Sequence, residues 1–387
     1  MTKGYHRPTK ATVSLDAIVD NYFAIKKFAD NKPVYAVVKA DGYGLGAVQV
    51  AHALQRRGAD GFCVAVTDEA MELRDAGIIA PIMILGLTDP DDAWLHANME
   101  IGVTVSDLQY LKYAKKHDKE FGRRKLHVHL KIDSGMGRIG VRTIEETQAI
   151  VDYIARHPKK FVLSSVFTHY ATADTFTEHG IDKVEEQSAF FDNIVDNLDF
   201  SHLAERPIIH QSNSALSIWY PEKTKDALRF GLGLYGSNPS MNDRESTVDL
   251  TQALTLETEI VYVKQMHAGD TVSYGAEYVA EEDEWVATLP IGYADGWKRS
   301  YLGLNAIVEG ELCPTIGRIC MDQTLIHLPY EMPIGTKVTL IGRNGEHTVD
   351  IVDVAKHGGT IAHEVLTSLS QRVPITYIDT KTKKLKD

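Results

Sequence analysis

The sequence predicts a (β/α)8 TIM-like barrel followed by a mainly antiparallel β domain. Eight short apolar segments alternate with helical ones over roughly 200 residues, a regularity that suits a closed barrel better than an open doubly wound sheet. Near residues 237–248 the alternation stops. Beyond it, short strand-like segments recur between turns such as Ala268-Gly269-Asp270 and Gly342-Arg343-Asn344-Gly345, with few helices among them. The division falls near residue 240. It leaves a barrel over 1–240, with residues 1–14 free to pair with the second domain, and a β domain over 241–387.

Residues 9–14 read as a short strand, and Ser14 or Asp16 is placed to cap the helix that follows through Tyr22 and Ile25. Barrel strands are expected at 34–38, 61–66, 82–86, 102–105, 126–133, 163–169, 207–211 and 228–235. Helical stretches between them include 68–75, 108–116, 144–156 and 183–198. In the second domain the strand candidates are 254–265, 285–291, 306–308, 323–328, 338–341 and 375–378.

Composition narrows the function. Of 387 residues, 44% are hydrophobic and 24% charged, as in an ordinary globular protein. A formal net charge of -12 argues against a nucleic-acid or anionic-membrane partner, which would need a clustered basic face. The first eight residues have no apolar core of the kind a signal peptide carries, and no apolar run is long enough for a bilayer. Three cysteines, Cys63, Cys313 and Cys320, fit reduced thiols better than a disulfide framework. A cytoplasmic protein is expected.

The chemistry points to Lys39. Val34-Tyr35-Ala36-Val37-Val38 reads as a fully buried strand and Gly42 to Gly46 as a glycine-rich turn, so the lysine stands at a strand's carboxyl end. That edge of a parallel α/β fold is where ligands bind. Apolar neighbours strip water from the ammonium form, lower its pKa and free the amine to attack a carbonyl, which suggests Schiff-base chemistry. Two other readings compete. Taken alone, Lys39 reads equally as a lysine reaching past the strand end to water, and Gly42, Gly44 and Gly46 weakly imitate a dinucleotide fingerprint with the wrong spacing.

The other polar residues at expected strand ends are Lys131 with Asp133 and Gly135-Met136-Gly137-Arg138, then His169, Asn213-Ser214, and Arg229 with Gly231. Each has a plain alternative: Lys131 and Asp133 pairing together, His169 as a satisfied core histidine, Arg229 as a solvated rim. Five clusters at one rim favour a shared site. His127 and His129 alternate on one strand face, but no third ligand follows and Lys131 on that face would repel a cation, so no metal is expected.

These residues carry a family resemblance. Val37-Val38-Lys39-Ala40-Asp41-Gly42-Tyr43-Gly44, Lys131-Ile132-Asp133-Ser134-Gly135-Met136-Gly137-Arg138, Ser212-Asn213-Ser214-Ala215, Ser273-Tyr274-Gly275-Ala276, Ile291-Gly292-Tyr293-Ala294-Asp295-Gly296 and Cys320-Met321-Asp322 together resemble the bacterial alanine racemases. The match runs co-linearly from near residue 8 to near residue 378. It implies an isomerase that converts L-alanine to D-alanine for peptidoglycan, with pyridoxal 5′-phosphate as cofactor and a head-to-tail homodimer whose subunits share each active site.

By that resemblance the cofactor is held by Lys39, Tyr43, His169, Asn213, Ser214, Arg229, Gly231 and His363. Lys39 forms the Schiff base, while Tyr43, Ser214 and the backbone near Gly231 hold the phosphate. Arg229 faces the pyridine nitrogen, where a permanently protonated group opposes protonation of the ring and weakens it as an electron sink. Racemisation needs a proton removed from one face of Cα and delivered to the other, most simply by two bases. The resemblance names Lys39 and the partner subunit's Tyr274. A free tyrosine has a pKa of about 10, so hydrogen bonds from His169 are expected to tune it. Arg138 and the Met321 backbone bind the substrate carboxylate, Tyr293 and Asp322 shape the entrance, and Lys131 is a site of carbamylation.

Two positions depart from the family pattern. His363 and Gln371 stand where tyrosines are usual, so serine or a broader set of amino acids is an alternative substrate range. A decarboxylase on a related barrel would carry an acid opposite the ring nitrogen, not Arg229. A barrel-only carrier would have no use for Tyr274.

Overall fold

The apolar segments form the staves of a closed barrel. A computed structural model describes residues 2–381. A leading strand β1 (Lys10–Ser14) is followed by β2 (Val34–Val37), β3 (Gly61–Val64), β4 (Ile82–Leu87), β5 (Ile101–Val105), β6 (Leu126–Lys131), β7 (Phe161–Phe167), β8 (Ile208–Ser212) and β9 (Ala227–Phe230). Strands β2 to β9 pair in sequence order, and β9 returns to β2 through Val34↔Leu228 and Tyr35↔Arg229. Their unbroken apolar runs follow from cover on both faces; every residue of β3 and β5 is buried.

Helices wrap the outside and begin where side-chain caps allow. Ser14 Oγ accepts from the Ala17 amide at 3.1 Å and starts Leu15–Phe28. The helix expected at 183–198 starts earlier, as Glu178–Asp196, because Thr177 Oγ1 accepts from the Gly180 amide at 3.1 Å. Residues 228–235 are not one strand: β9 ends at Phe230, and Leu232–Tyr235 forms a 3-10 turn after Gly231.

The second domain is a largely antiparallel sheet. Its order is Tyr262–Met266, Glu284–Leu289, Thr324–Leu328, Glu311–Ile316, Asn305–Val308, Lys337–Asn344, Leu254–Glu259, β1 and Ile375–Ile378. The single strand expected at 254–265 is therefore two. No glycine or proline marks the break, which is made by the Ile260 amide turning to the Thr336 carbonyl at 3.0 Å. β1 pairs antiparallel with Leu254–Glu259 and parallel with Ile375–Ile378, so the chain's start is built into this sheet. Among the described residues no helix is long and apolar enough to cross a membrane.

Candidate active site

Strand β2 delivers Lys39, but an unusual turn aims it. After Val38 the backbone is left-handed at Ala40 (φ 51°), Asp41 (φ 52°), Gly42 (φ 61°) and Tyr43 (φ 58°). Three of these carry a Cβ, and each costs about 1–2 kcal/mol in that region. The turn persists because its amides are used: Ala40 donates to Glu69 Oε1 at 2.7 Å, Gly42 to the Val38 carbonyl at 2.8 Å, and Ala47 to Asp41 Oδ1 at 2.8 Å. The strain places Lys39 and Tyr43 together on one pocket wall, as strained backbone at functional sites does.

That pocket, about 140 Å³, is lined by Lys39, Tyr43, His169, Asn213, Ser214, Arg229, Gly231 and His363, with Leu85, Asp174 and Pro239 among the rest. Every residue expected to hold the cofactor is thus in one cavity at the carboxyl ends of the strands. Asp174 and Leu85 were not singled out by the sequence. Asp174 lies in the loop after β7, where strand pattern gives no signal, and β4's end carries only the apolar Leu85.

Two basic side chains, Lys39 and Arg229, and one carboxylate, Asp174, line the pocket. Burial, then the charge of Arg138, pulls the half-buried Lys39 amine below the usual lysine value. Burial, with Arg229 and Lys131, holds His169 well below its ordinary value, so its ring is neutral. Burial brings Arg229 down to about 10, which still leaves it charged at neutral pH. Its Nη1 donates to His210 Nδ1 at 2.7 Å; its Nη2 donates to the Thr168 carbonyl at 2.8 Å and lies 3.4 Å from His169 Nδ1. His210 was missed as a site residue, although a histidine inside the apolar strand 207–211 was a visible signal. Lys131 is 3% exposed, with Nζ 5.1 Å from the Phe167 ring; burial and then Arg229 and Arg138 press it well below the lysine range.

Backbone and hydroxyl donors make an anion cradle beside these cations. The Gly231 amide donates to Ser214 Oγ at 2.9 Å, and the Gly233 amide approaches the same oxygen at 3.4 Å. A Cβ on Gly231 would stand 2.5 Å from Tyr43 Oη, so only glycine leaves room here.

The remaining expected residues do not line this pocket. Arg138 is exposed on the loop after β6, near enough for its charge to depress Lys39 and Lys131. Tyr274, Tyr293 and Met321 are 70%, 43% and 52% exposed. They form a second patch: the Tyr293 and Ala294 amides donate to the Cys320 and Met321 carbonyls at 3.0 Å, and Ser273 Oγ donates to the Arg318 carbonyl at 2.5 Å. Asp322 is held by Arg372 at 2.8 Å, and Arg372 reaches the fully buried Asp295, which also pairs with Arg7. Gln371 lies elsewhere, in a groove with Asp41 and Tyr377.

His127 and His129 bond to serines, Ser164 Oγ at 3.0 Å and Ser165 Oγ at 2.6 Å. Among the described residues no group of three His, Cys, Asp or Glu is placed to hold a metal ion.

Comparison with known proteins decides the family. The family model of the alanine racemase N-terminal domain matches residues 13–239, and that of the alanine racemase C-terminal domain matches residues 253–377. The chain belongs to the alanine racemase family. It is similar to the alanine racemase of Streptococcus equi subsp. equi, 46% identical over 97% of this chain and 100% of that protein. The crystal structure of alanine racemase from E. faecalis superposes with a TM-score of 0.91 at 40% identity, covering 98% of this chain and 100% of that one. A histidine racemase from Leuconostoc mesenteroides subsp. sake is also similar, with a TM-score of 0.88 at 33% identity over 97% of this chain and 100% of that one. In this alanine racemase family chain the departure at His363 falls on the pocket itself, its ring 5.7 Å from that of Tyr43.

Proposed function

We propose that this protein interconverts L- and D-alanine with pyridoxal 5′-phosphate, using one base from each of two subunits, and so supplies D-alanine for peptidoglycan. The observation that carries the reading is the joining, in one pocket, of a lysine amine depressed by burial, a buried guanidinium and an anion cradle. These groups fit the cofactor. Lys39 would hold its aldehyde, Arg229 would lie toward its ring nitrogen, and the Gly231 amide with the Ser214 and Tyr43 hydroxyls would hold its phosphate. Bound there, the cofactor acidifies the substrate Cα–H bond.

The chain's own residues do the rest. Lys39 Nζ takes or returns the Cα proton on one face. Tyr274 of a second copy does the same on the other face. Its 70% exposure in the single chain, away from the Lys39 pocket, supports a role given to a partner. Arg138 and the Met321 amide hold the substrate carboxylate, and Tyr293 and Asp322 narrow the approach. Arg229 keeps its charge and so discourages a proton on the ring nitrogen, which limits side reactions. Lys131, with its amine depressed by burial, is suited to add carbon dioxide, lose a proton and become an anion that orients Arg138; density showing a bare amine would count against this.

The test is chiral chromatography of L-alanine and L-serine incubated with purified protein and pyridoxal 5′-phosphate. Rapid D-alanine with little D-serine is expected, and no D-product from either would end the proposal. A second reading, a broader substrate range, rests on His363, a smaller and more polar side chain than the family's usual tyrosine at the pocket wall.

A further inference from the structure

The histidine pair of β6 takes no part in the chemistry above, yet one of its members ends a continuous chain that begins at Arg229. Each link comes from the next strand: Arg229 on β9, His210 on β8, Ser165 on β7 and His129 on β6. We propose that Ser165 and His129 are positioning residues that act through His210 to hold the Arg229 guanidinium in the orientation it presents to the pocket. The inference rests on the racemase reading only for its kinetic consequence.

Hydrogen-bond polarity fixes the chain in one direction. A guanidinium only donates, so His210 Nδ1, 2.7 Å from Arg229 Nη1, accepts and carries no proton. The ring's proton is then on Nε2, which donates to Ser165 Oγ at 2.9 Å. The serine hydrogen goes on to His129 Nδ1 at 2.6 Å, leaving the His129 proton on Nε2. Any other assignment sets two donors against each other or strands a buried hydroxyl hydrogen, at full desolvation cost. Both rings are neutral, as this requires: burial takes His129 down to about 3, and burial with the Arg229 charge holds His210 well below its usual value.

The packing is built around the chain. Phe167 stacks on His210 with centroids 5.2 Å apart and planes 8° from parallel. A Cβ on Gly102 would lie 2.3 Å from His129 Nε2, so glycine on β5 makes room for that ring. The far edge of His129 lines a separate cavity of about 290 Å³ near the amino ends of the strands, with Glu100 and Arg74. The chain thus spans the barrel interior from the site to its opposite face.

The holoenzyme, loaded with pyridoxal 5′-phosphate, provides the test. Nitrogen NMR of histidine-labelled protein is expected to show His210 and His129 both neutral and protonated on Nε2; a proton on His210 Nδ1 overturns the proposal, and this needs no variant. Ser165→Ala, which removes one atom, and His129→Leu are each expected to lower kcat about tenfold in both directions with KM nearly unchanged, and to shift the bound cofactor's absorbance maximum. His129→Asn keeps an acceptor near the Nδ1 position and is expected to restore both. A lower Tm with unaltered kcat and absorbance, or equal impairment by Leu and Asn, would show a merely structural role. If the unaltered protein racemises neither alanine nor serine, the activity reading fails, while NMR and absorbance still decide the chain.

Discussion

Tyr43 Oη stands 2.5 Å from the point a Cβ on Gly231 would occupy, so the left-handed turn after β2 and the turn after β9 meet with no space for another carbon. Two strands that adjoin only because the barrel closes, β2 and β9, thereby bring Tyr43 and Gly231 into one pocket. Gly231→Ala is expected to push the tyrosine hydroxyl away and weaken cofactor binding about tenfold, a loss of roughly 1.4 kcal/mol, read by fluorescence titration with pyridoxal 5′-phosphate. Unchanged affinity would remove Gly231 and Tyr43 from the phosphate site.

The separation of Lys39 from Tyr274 within one chain makes the shared active site testable. Lys39→Ala should lose the yellow chromophore; Tyr274→Phe should keep it and lose racemisation of both enantiomers, while exchange of the Cα proton with solvent deuterium falls far more for one enantiomer than for the other. Mixed refolding of the two variants should regain activity that neither parent has, because one site of a mixed dimer receives both bases. A mixture no more active than its parents would contradict two subunits per site.

Buried neutral histidines make stability depend on pH. His129 has a folded pKa of about 3 against 6.5 in the unfolded chain, so unfolding takes up a proton between those values. Its contribution is complete above about pH 6.5 and is lost as pH falls toward 3, at about 1.4 kcal/mol per pH unit. Urea midpoints for unaltered protein and His129→Asn should converge on lowering the pH from 7 to 5. Parallel curves would mean that His129 is protonated in the folded protein.

Substrate breadth is read at His363. Burial, then the Lys39 charge, lowers the pKa of its imidazole, so a neutral ring faces the pocket at neutral pH. His363→Tyr restores the family's usual side chain and is expected to cut kcat/KM for serine relative to alanine by about tenfold. An unchanged ratio would place the specificity elsewhere.

Much of this was legible in the chain itself. Barrel strands announce themselves because both faces are covered, so 34–38 or 102–105 reads as an apolar run with no tertiary information. Lys39 was suspect from its place after such a run, and the long co-linear motifs carried the rest. The sequence also shows His210 and His129, but as ordinary strand histidines. Only the side-by-side pairing of β6 through β9 brings Arg229, His210, Ser165 and His129 into line, because parallel register places residues from distant segments next to one another. The break inside 254–265 likewise belonged to tertiary structure, being decided by a carbonyl from residue 336, whereas the early start of Glu178–Asp196 rests on a local threonine cap. Local periodicity determines which segments are strands and helices. Which side chains share a pocket, and which stand apart on the second domain, is settled by packing between segments hundreds of residues apart.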